Sequence, residues 1–65
     1  MIYLRDDIGK TLYEQLYEII RNDILQGQLR KDQSLRPIRT LAKELDISNN
    51  TVSRAYQMLL SEGYI

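Results

Sequence analysis

Sixty-five residues with zero net charge, 43% of them hydrophobic, make one small domain with a modest core of Leu, Ile and Tyr. A chain this short buries only about 60% of its unfolded surface, which leaves little room for a large active-site cleft. It contains no cysteine and no histidine, which excludes disulfide staples, thiol nucleophiles and zinc fingers.

No metal or cofactor is expected. The longest apolar run, Met1 to Leu4, falls far short of a membrane span or the core of a signal peptide, so a cytoplasmic protein is expected. Zero net charge argues against a nucleic-acid partner until the charges are placed along the chain. Residues 30–54 carry Arg30, Lys31, Arg36, Arg39, Lys43 and Arg54 against Asp32, Glu44 and Asp46. Residues 1–29 carry three bases against Asp6, Asp7, Glu14, Glu18 and Asp23. The chain is electrically two-sided, and its basic half would turn toward a polyanion.

Ile2, Tyr3 and Leu4 read as a short extended arm, followed by a polar loop from Arg5 to Gly9. Residues 1–9 are thus an arm and residues 10–65 the folded domain. From Thr11 the period turns helical. Leu12, Leu16, Ile20 and Ile24 form one stripe, widened by Tyr13, Tyr17, Ile19 and Leu25. Thr11 is a suitable cap for the start and Gly27 for the end, so a helix is predicted over about 11–26. Gln28 to Leu35 reads as a connector whose Leu29 and Leu35 plug the core, with Leu35 a candidate for a very short strand.

Pro37 fits the first turn of a second helix, predicted over about 37–45, where its missing amide hydrogen loses no partner. Ser48 can cap a third helix over about 49–62, which Gly63 stops. Ile38, Leu41, Ala42, Leu45 and Ile47, then Val52, Ala55, Tyr56 and Leu59, place apolar groups where two short helices must touch. Asp46 sits at the turn between them, where Asp tolerates the left-handed conformation. This pattern is a helix-turn-helix, whose second helix enters the DNA major groove.

If Val52 points inward, Asn50, Arg54, Gln57 and Ser61 fall on the outer side of the third helix, flanked by Ser53. Asn and Gln can bind adenine through two atoms, Ser can serve several base edges or a phosphate, and Arg can bind guanine or a phosphate. Ser48, Asn49, Asn50 and Thr51 crowd the amino end with small polar groups, which suits a phosphate at free helix amides. Arg39, with Arg36 just ahead, lies where the preceding helix would cross the sugar-phosphate backbone. Thr40 and Lys43 are weaker candidates. Tyr13, Tyr17 and Tyr56 are spaced for packing rather than for stacking on bases.

At these residues the chain resembles the amino-terminal DNA-binding domain of the GntR family of bacterial transcription regulators, in the branch with the YtrA-like and MocR-like proteins. The resemblance rests on Leu12 Tyr13 Glu14 Gln15 Leu16, the I-x-x-G-x-L stretch from Ile24 to Leu29, and Leu35 Arg36 Pro37 Ile38 Arg39 Thr40 Leu41 Ala42. Its most specific part is Asn50 Thr51 Val52 Ser53 Arg54 Ala55 Tyr56, followed by Glu62 Gly63 Tyr64 Ile65. Arg36 and Pro37 stand where the family usually has Pro-Ser, Asn49 where arginine is frequent, and Asp32 near a common Pro-Gly turn.

The resemblance implies a mainly α, three-helix winged helix-turn-helix domain, here with the wing hairpin missing or truncated. It also implies binding to a double-stranded DNA operator as a homodimer, through a dimerising segment outside this chain. Arg39, Ser48 to Thr51, and Ser53 or Arg54 are then the DNA-facing residues. Family members continue past the position of Ile65 into a wing and an effector domain, so a fragment of a longer regulator is expected.

The leading expectation is therefore sequence-specific DNA binding in transcription control, by repression, with Arg36, Arg39, Ser48, Asn49, Asn50, Thr51, Ser53, Arg54 and Gln57 at the DNA. A winged-helix-like module that binds protein through the apolar and tyrosine surface of its first helix is the alternative, kept open by the neutral charge. An enzyme is not expected, because Glu14 and Glu18 share a helix face with nothing to complete a nucleophile or metal site.

Overall fold

Thr11 opens the first helix. Its hydroxyl oxygen accepts from the Glu14 amide at 3.3 Å, and its hydroxyl donates to the Glu14 carboxylate at 3.0 Å, so one of the orphan amides of the first turn is satisfied. The computed structural model describes residues 4–5, 9–27 and 35–65. Within them lie three helices, α1 (Leu12–Leu25), α2 (Ile38–Leu45) and α3 (Asn49–Ser61), and no strand. The fold is mainly α. The predicted helices match these to within one residue at each end, because the capping residues themselves lie outside the helices.

Two ends are closed by the same device. After α2, the Asp46 amide donates to the Lys43 carbonyl at 3.3 Å and the Ile47 amide to the Ala42 carbonyl at 3.0 Å. After α3, the Gly63 amide donates to the Leu60 carbonyl at 3.1 Å and the Tyr64 amide to the Leu59 carbonyl at 2.9 Å. Both are Schellman closures, which need a left-handed residue at the fifth position. Asp46 supplies it with φ 56 and Gly63 with φ 82. A Cβ on Gly63 would meet no heavy atom within 4 Å, so backbone conformation and not space calls for glycine there.

Pro37 is the cap of α2 and not part of its first turn, with φ −56 and ψ 147. The proline ring fixes only φ, and the value it fixes serves an extended residue as well as a helical one. The Pro37 carbonyl still accepts the first helical hydrogen bond, from the Leu41 amide at 3.0 Å. Ser48 caps α3 as expected, its oxygen accepting from the Thr51 amide at 3.1 Å.

α3 lies against both α1 and α2. Leu16, Tyr17 and Ile20 from α1, Leu41 and Ala42 from α2, and Val52, Ala55 and Leu59 from α3 form the buried core. Ile24, Leu35, Leu45 and Ile47 pack partly buried against it. Fully burying a side chain such as Leu16 contributes about 1.5–3 kcal/mol, so these few residues dominate the stability of so small a unit. Leu25 does not widen the stripe as expected but is 66% exposed. Nine residues after Leu16, at about 100° each, it faces the opposite side of the helix.

The amino-terminal stretch is docked where it is described. Leu4 packs against the core. Gln15, the one buried polar side chain among the described residues, accepts from the Arg5 amide at 2.7 Å. Its own amide donates to the carbonyls of Arg5 and of Lys10, the latter at 3.0 Å. Every polar atom of the Gln15 side chain is thereby partnered, which removes the penalty for burying it. Leu35 is half-buried without strand pairing. The remainder of the expected arm, Leu29 of the connector, and Arg30, Lys31 and Asp32 of the charge pattern lie outside the described residues.

Candidate nucleic-acid interface

Val52, Ala55 and Leu59 set the inward direction of α3. At about 100° per residue, Asn50 and Gln57 fall along the opposite line, with Arg54 and Ser53 each about 50° from it on opposite flanks. Asn49, Asn50, Arg54, Gln57 and Ser61 are exposed, and Thr51 and Ser53 are half-buried. The two flanks face different neighbours. On the Ser53 side, Tyr56 reaches α2, its hydroxyl donating to the Arg36 carbonyl at 2.7 Å. On the Arg54 side lies α1.

The residues expected at the DNA divide into three groups by what they already hold. Ser48 and Thr51 serve the helix start, with their hydroxyl oxygens 2.8 Å apart and the Ser48 oxygen on the Thr51 amide. Both stay at the amino end of α3, where free backbone amides and the helix dipole favour an anion. Asn49, Asn50, Gln57 and Arg39 make no side-chain hydrogen bond or ion pair to another described residue. Their amide groups and guanidinium point into solvent with full hydrogen-bonding capacity.

Arg36 and Arg54 are engaged. The Arg36 guanidinium pairs with the Glu44 carboxylate, whose negative charge offsets that of one expected base. Both side chains are substantially exposed, so the pair adds little stability. Arg54 lies over the Tyr13 ring of α1, with Cζ 4.0 Å from the ring centroid. Tyr13 is half-buried against the core, as a packing residue should be. Its second role, holding Arg54, joins residues far apart in the chain, and no spacing in the sequence announces it. The pairing of Arg36 with Glu44, eight residues on, is likewise outside the spacing of helical neighbours.

Further along α1, the Tyr17 hydroxyl donates to the Glu62 carboxylate, and the Arg21 guanidinium sits 5.2 Å from the Tyr17 ring centroid. The hydrogen bond to Glu62 raises the Tyr17 pKa above its ordinary 10.0, and burial adds to the rise. Burial likewise raises Tyr56, against the opposing pull of the Arg36 charge. Both tyrosines are protonated donors at neutral pH.

Arg39, Thr40 and Lys43 are exposed along α2, and Arg54 is exposed on α3 beside the polar line of Asn50 and Gln57. No described group of His, Cys, Asp and Glu is arranged to hold a metal ion. No described helix is long and apolar enough to cross a membrane. The exposed amide forks of α3 and the exposed cations of α2 and α3 can hydrogen-bond and pair charge with a polyanion.

Comparison with known proteins agrees with this geometry. Residues 12–65 match the bacterial regulatory proteins of the gntR family. The whole chain is 43% identical to the probable rhizopine catabolism regulatory protein MocR of Rhizobium meliloti, of which it covers 13%. It is 46% identical over 55 residues, 85% of this chain and 13% of the relative, to the vitamin B6 salvage pathway transcriptional repressor PtsJ of Salmonella typhimurium. It is 40% identical over 63 residues, 97% of this chain and 14% of the relative, to the uncharacterized HTH-type transcriptional regulator YdeL of Bacillus subtilis. With three capped helices, a left-handed turn at Asp46 and a family match across nearly all of its length, the chain belongs to the gntR family of bacterial regulators and is their helix-turn-helix DNA-binding domain.

Proposed function

We propose that this domain recognises a specific operator by laying α3 in the major groove, with Asn50 and Gln57 reading base edges and Asn49 and Ser53 beside them. Arg39 and the amino end of α3, from Ser48 to Thr51, hold phosphates. The observation that carries this reading is the outer line of α3, where unpartnered amide side chains stand opposite the Val52, Ala55 and Leu59 core. Such side chains discriminate bases, whereas an ordinary solvated helix face gains nothing from having Asn and Gln in place of Glu and Lys.

The relatives are about seven times longer than this chain, which supports placing the domain, residues 10–65, within a longer regulator. A homodimer on an operator of two-fold symmetry is the arrangement we assign, as for other helix-turn-helix dimers. Repression is the mode we assign, supported by the relative named as a repressor, and the cytoplasm is the compartment where such a regulator meets its DNA.

Selection of binding duplexes from a random library, followed by titration at several salt concentrations, tests the reading. A selected sequence is expected to bind more tightly than its scrambled counterpart, losing about 1–3 kcal/mol for each mismatched base pair at contacted positions. Equal, weak binding to every sequence overturns it.

A further inference from the structure

We infer that Tyr13 and Arg54 form a phosphate clamp for the DNA strand on the α1 side of α3, with Tyr13 as the positioning residue; this rests on the DNA-binding reading above. A guanidinium lying flat on an aromatic ring keeps its N–H donors at the edge, free for a phosphate oxygen. The Arg54 Cζ stands over the Tyr13 ring, 4.0 Å from its centroid. Contact with the ring also restricts rotamers that a free arginine would have to give up on binding, which favours pre-organisation.

Placement decides which strand is held. A helix about 10–12 Å across fills a major groove of about the same width, so its two flanks face the two phosphate backbones. α2 occupies the Ser53 flank, tied there by the Tyr56 to Arg36 hydrogen bond. In helix-turn-helix docking that element crosses one backbone. Arg54 is on the other flank, at the edge of a shallow groove of about 420 Å³ lined by Tyr13, Arg54, Gln57, Met58 and Ser61. The stacked arginine thus faces the backbone that α2 does not touch. In the absence of DNA the same stack ties α1 to α3, so Tyr13 serves both packing and recognition.

The test is a titration of the 65-residue chain onto a mixed-sequence duplex of 25–30 base pairs, roughly the span of an operator, across a range of sodium chloride concentrations. Wild type, Arg54→Ala, Tyr13→Leu, Tyr13→Phe and the Arg54→Ala/Tyr13→Leu double variant are compared, each first shown by circular dichroism to be folded. Tyr13→Met replaces Tyr13→Leu if the latter does not fold. Arg54→Ala and Tyr13→Leu are each expected to lower the slope of log K against log salt by about 1, and the double variant by no more than either alone. Tyr13→Phe, which keeps the ring, should restore the wild-type slope. A folded Tyr13→Leu with wild-type slope and affinity overturns the clamp, as does a double variant whose losses add. Asn50→Ala on a selected operator separates the two readings. If it relaxes specificity while Tyr13→Leu changes nothing, only the clamp fails; if the wild type binds no duplex, both fail.

Discussion

The Tyr56 hydroxyl on α3 donates to the backbone carbonyl of Arg36, 2.7 Å away and just ahead of α2. One side chain of the third helix thereby fixes where the second begins, since Pro37 follows directly as the cap. Tyr56→Phe removes the bond while keeping the ring. It is expected to cost about 0.5–1.5 kcal/mol in chemical denaturation. It should also weaken DNA binding through the displaced start of α2, with the salt slope unchanged. A stability equal to wild type would show that the bond contributes nothing net.

Asn50→Ala is expected to weaken binding to a selected operator by about 1–3 kcal/mol and to relax discrimination at one base position. Asn50 is exposed on the outer line of α3, so the folded state should keep its stability within about 0.5 kcal/mol. Binding assays against single-base operator variants would reveal the relaxed position. An even loss over all variants would reassign Asn50 to the phosphates.

Arg39→Ala is expected to weaken every sequence alike and to lower the salt slope by about 1, as loss of a phosphate contact does. Arg39 has no charge partner among the described residues, unlike Arg36, which Glu44 holds. Arg36→Ala is therefore expected to change the slope less than Arg39→Ala. Parallel titrations at several salt concentrations check the order of the two.

Ser48→Ala removes the oxygen that accepts from the Thr51 amide and is expected to cost about 1 kcal/mol of stability. Asp46→Gly should be neutral or slightly stabilising, because the left-handed φ of 56 suits glycine better than any residue with a Cβ. Asp46→Val, β-branched at that φ, should destabilise well beyond either. Midpoints of thermal unfolding would rank the three.

Stability is expected to fall as pH rises above the ordinary tyrosine value of 10.0. The pKa values of Tyr17 and Tyr56 are raised in the folded chain, so the folded state holds more protons than the unfolded one in that range, and stability decreases with pH. Below the ordinary value the contribution is fully present; it is lost as pH climbs toward the raised folded values. Tyr17→Phe should flatten the alkaline limb, and an unchanged limb would rule out Tyr17 as its source.

The three helices were legible because apolar residues recur at helical steps between residues with strong end preferences. Thr11, Ser48, Gly27 and Gly63 each cap where their chemistry says they should. Pro37 sits one residue outside the helix that its ring suggests, because a fixed φ does not determine ψ. Leu25 has the hydrophobicity of a stripe residue, but its angle puts it opposite Leu16 and in solvent. The outer line of α3 followed from Val52 being inside, as it is. What the sequence could not disclose were the partners of Arg36 and Arg54. Arg36 meets Glu44 only because the chain bends at Pro37 into α2, and Arg54 meets Tyr13 only because α1 lies against α3, an approach that no local period encodes.

The residues that hold α3 in place and those that present amides to solvent share no position, although they alternate along a single helix. Val52, Ala55 and Leu59 are the anchor; the side chains of Asn49, Asn50 and Gln57 make no hydrogen bond to the rest of the described fold. Changing the latter leaves the scaffold untouched, so such a domain can acquire a new genomic address through a handful of surface exchanges. Inserting one residue inside α3, between Ser53 and Arg54, would do the reverse, turning every later side chain by about 100° relative to Asn50 and Val52, so that Gln57 and Leu59 could no longer share their faces.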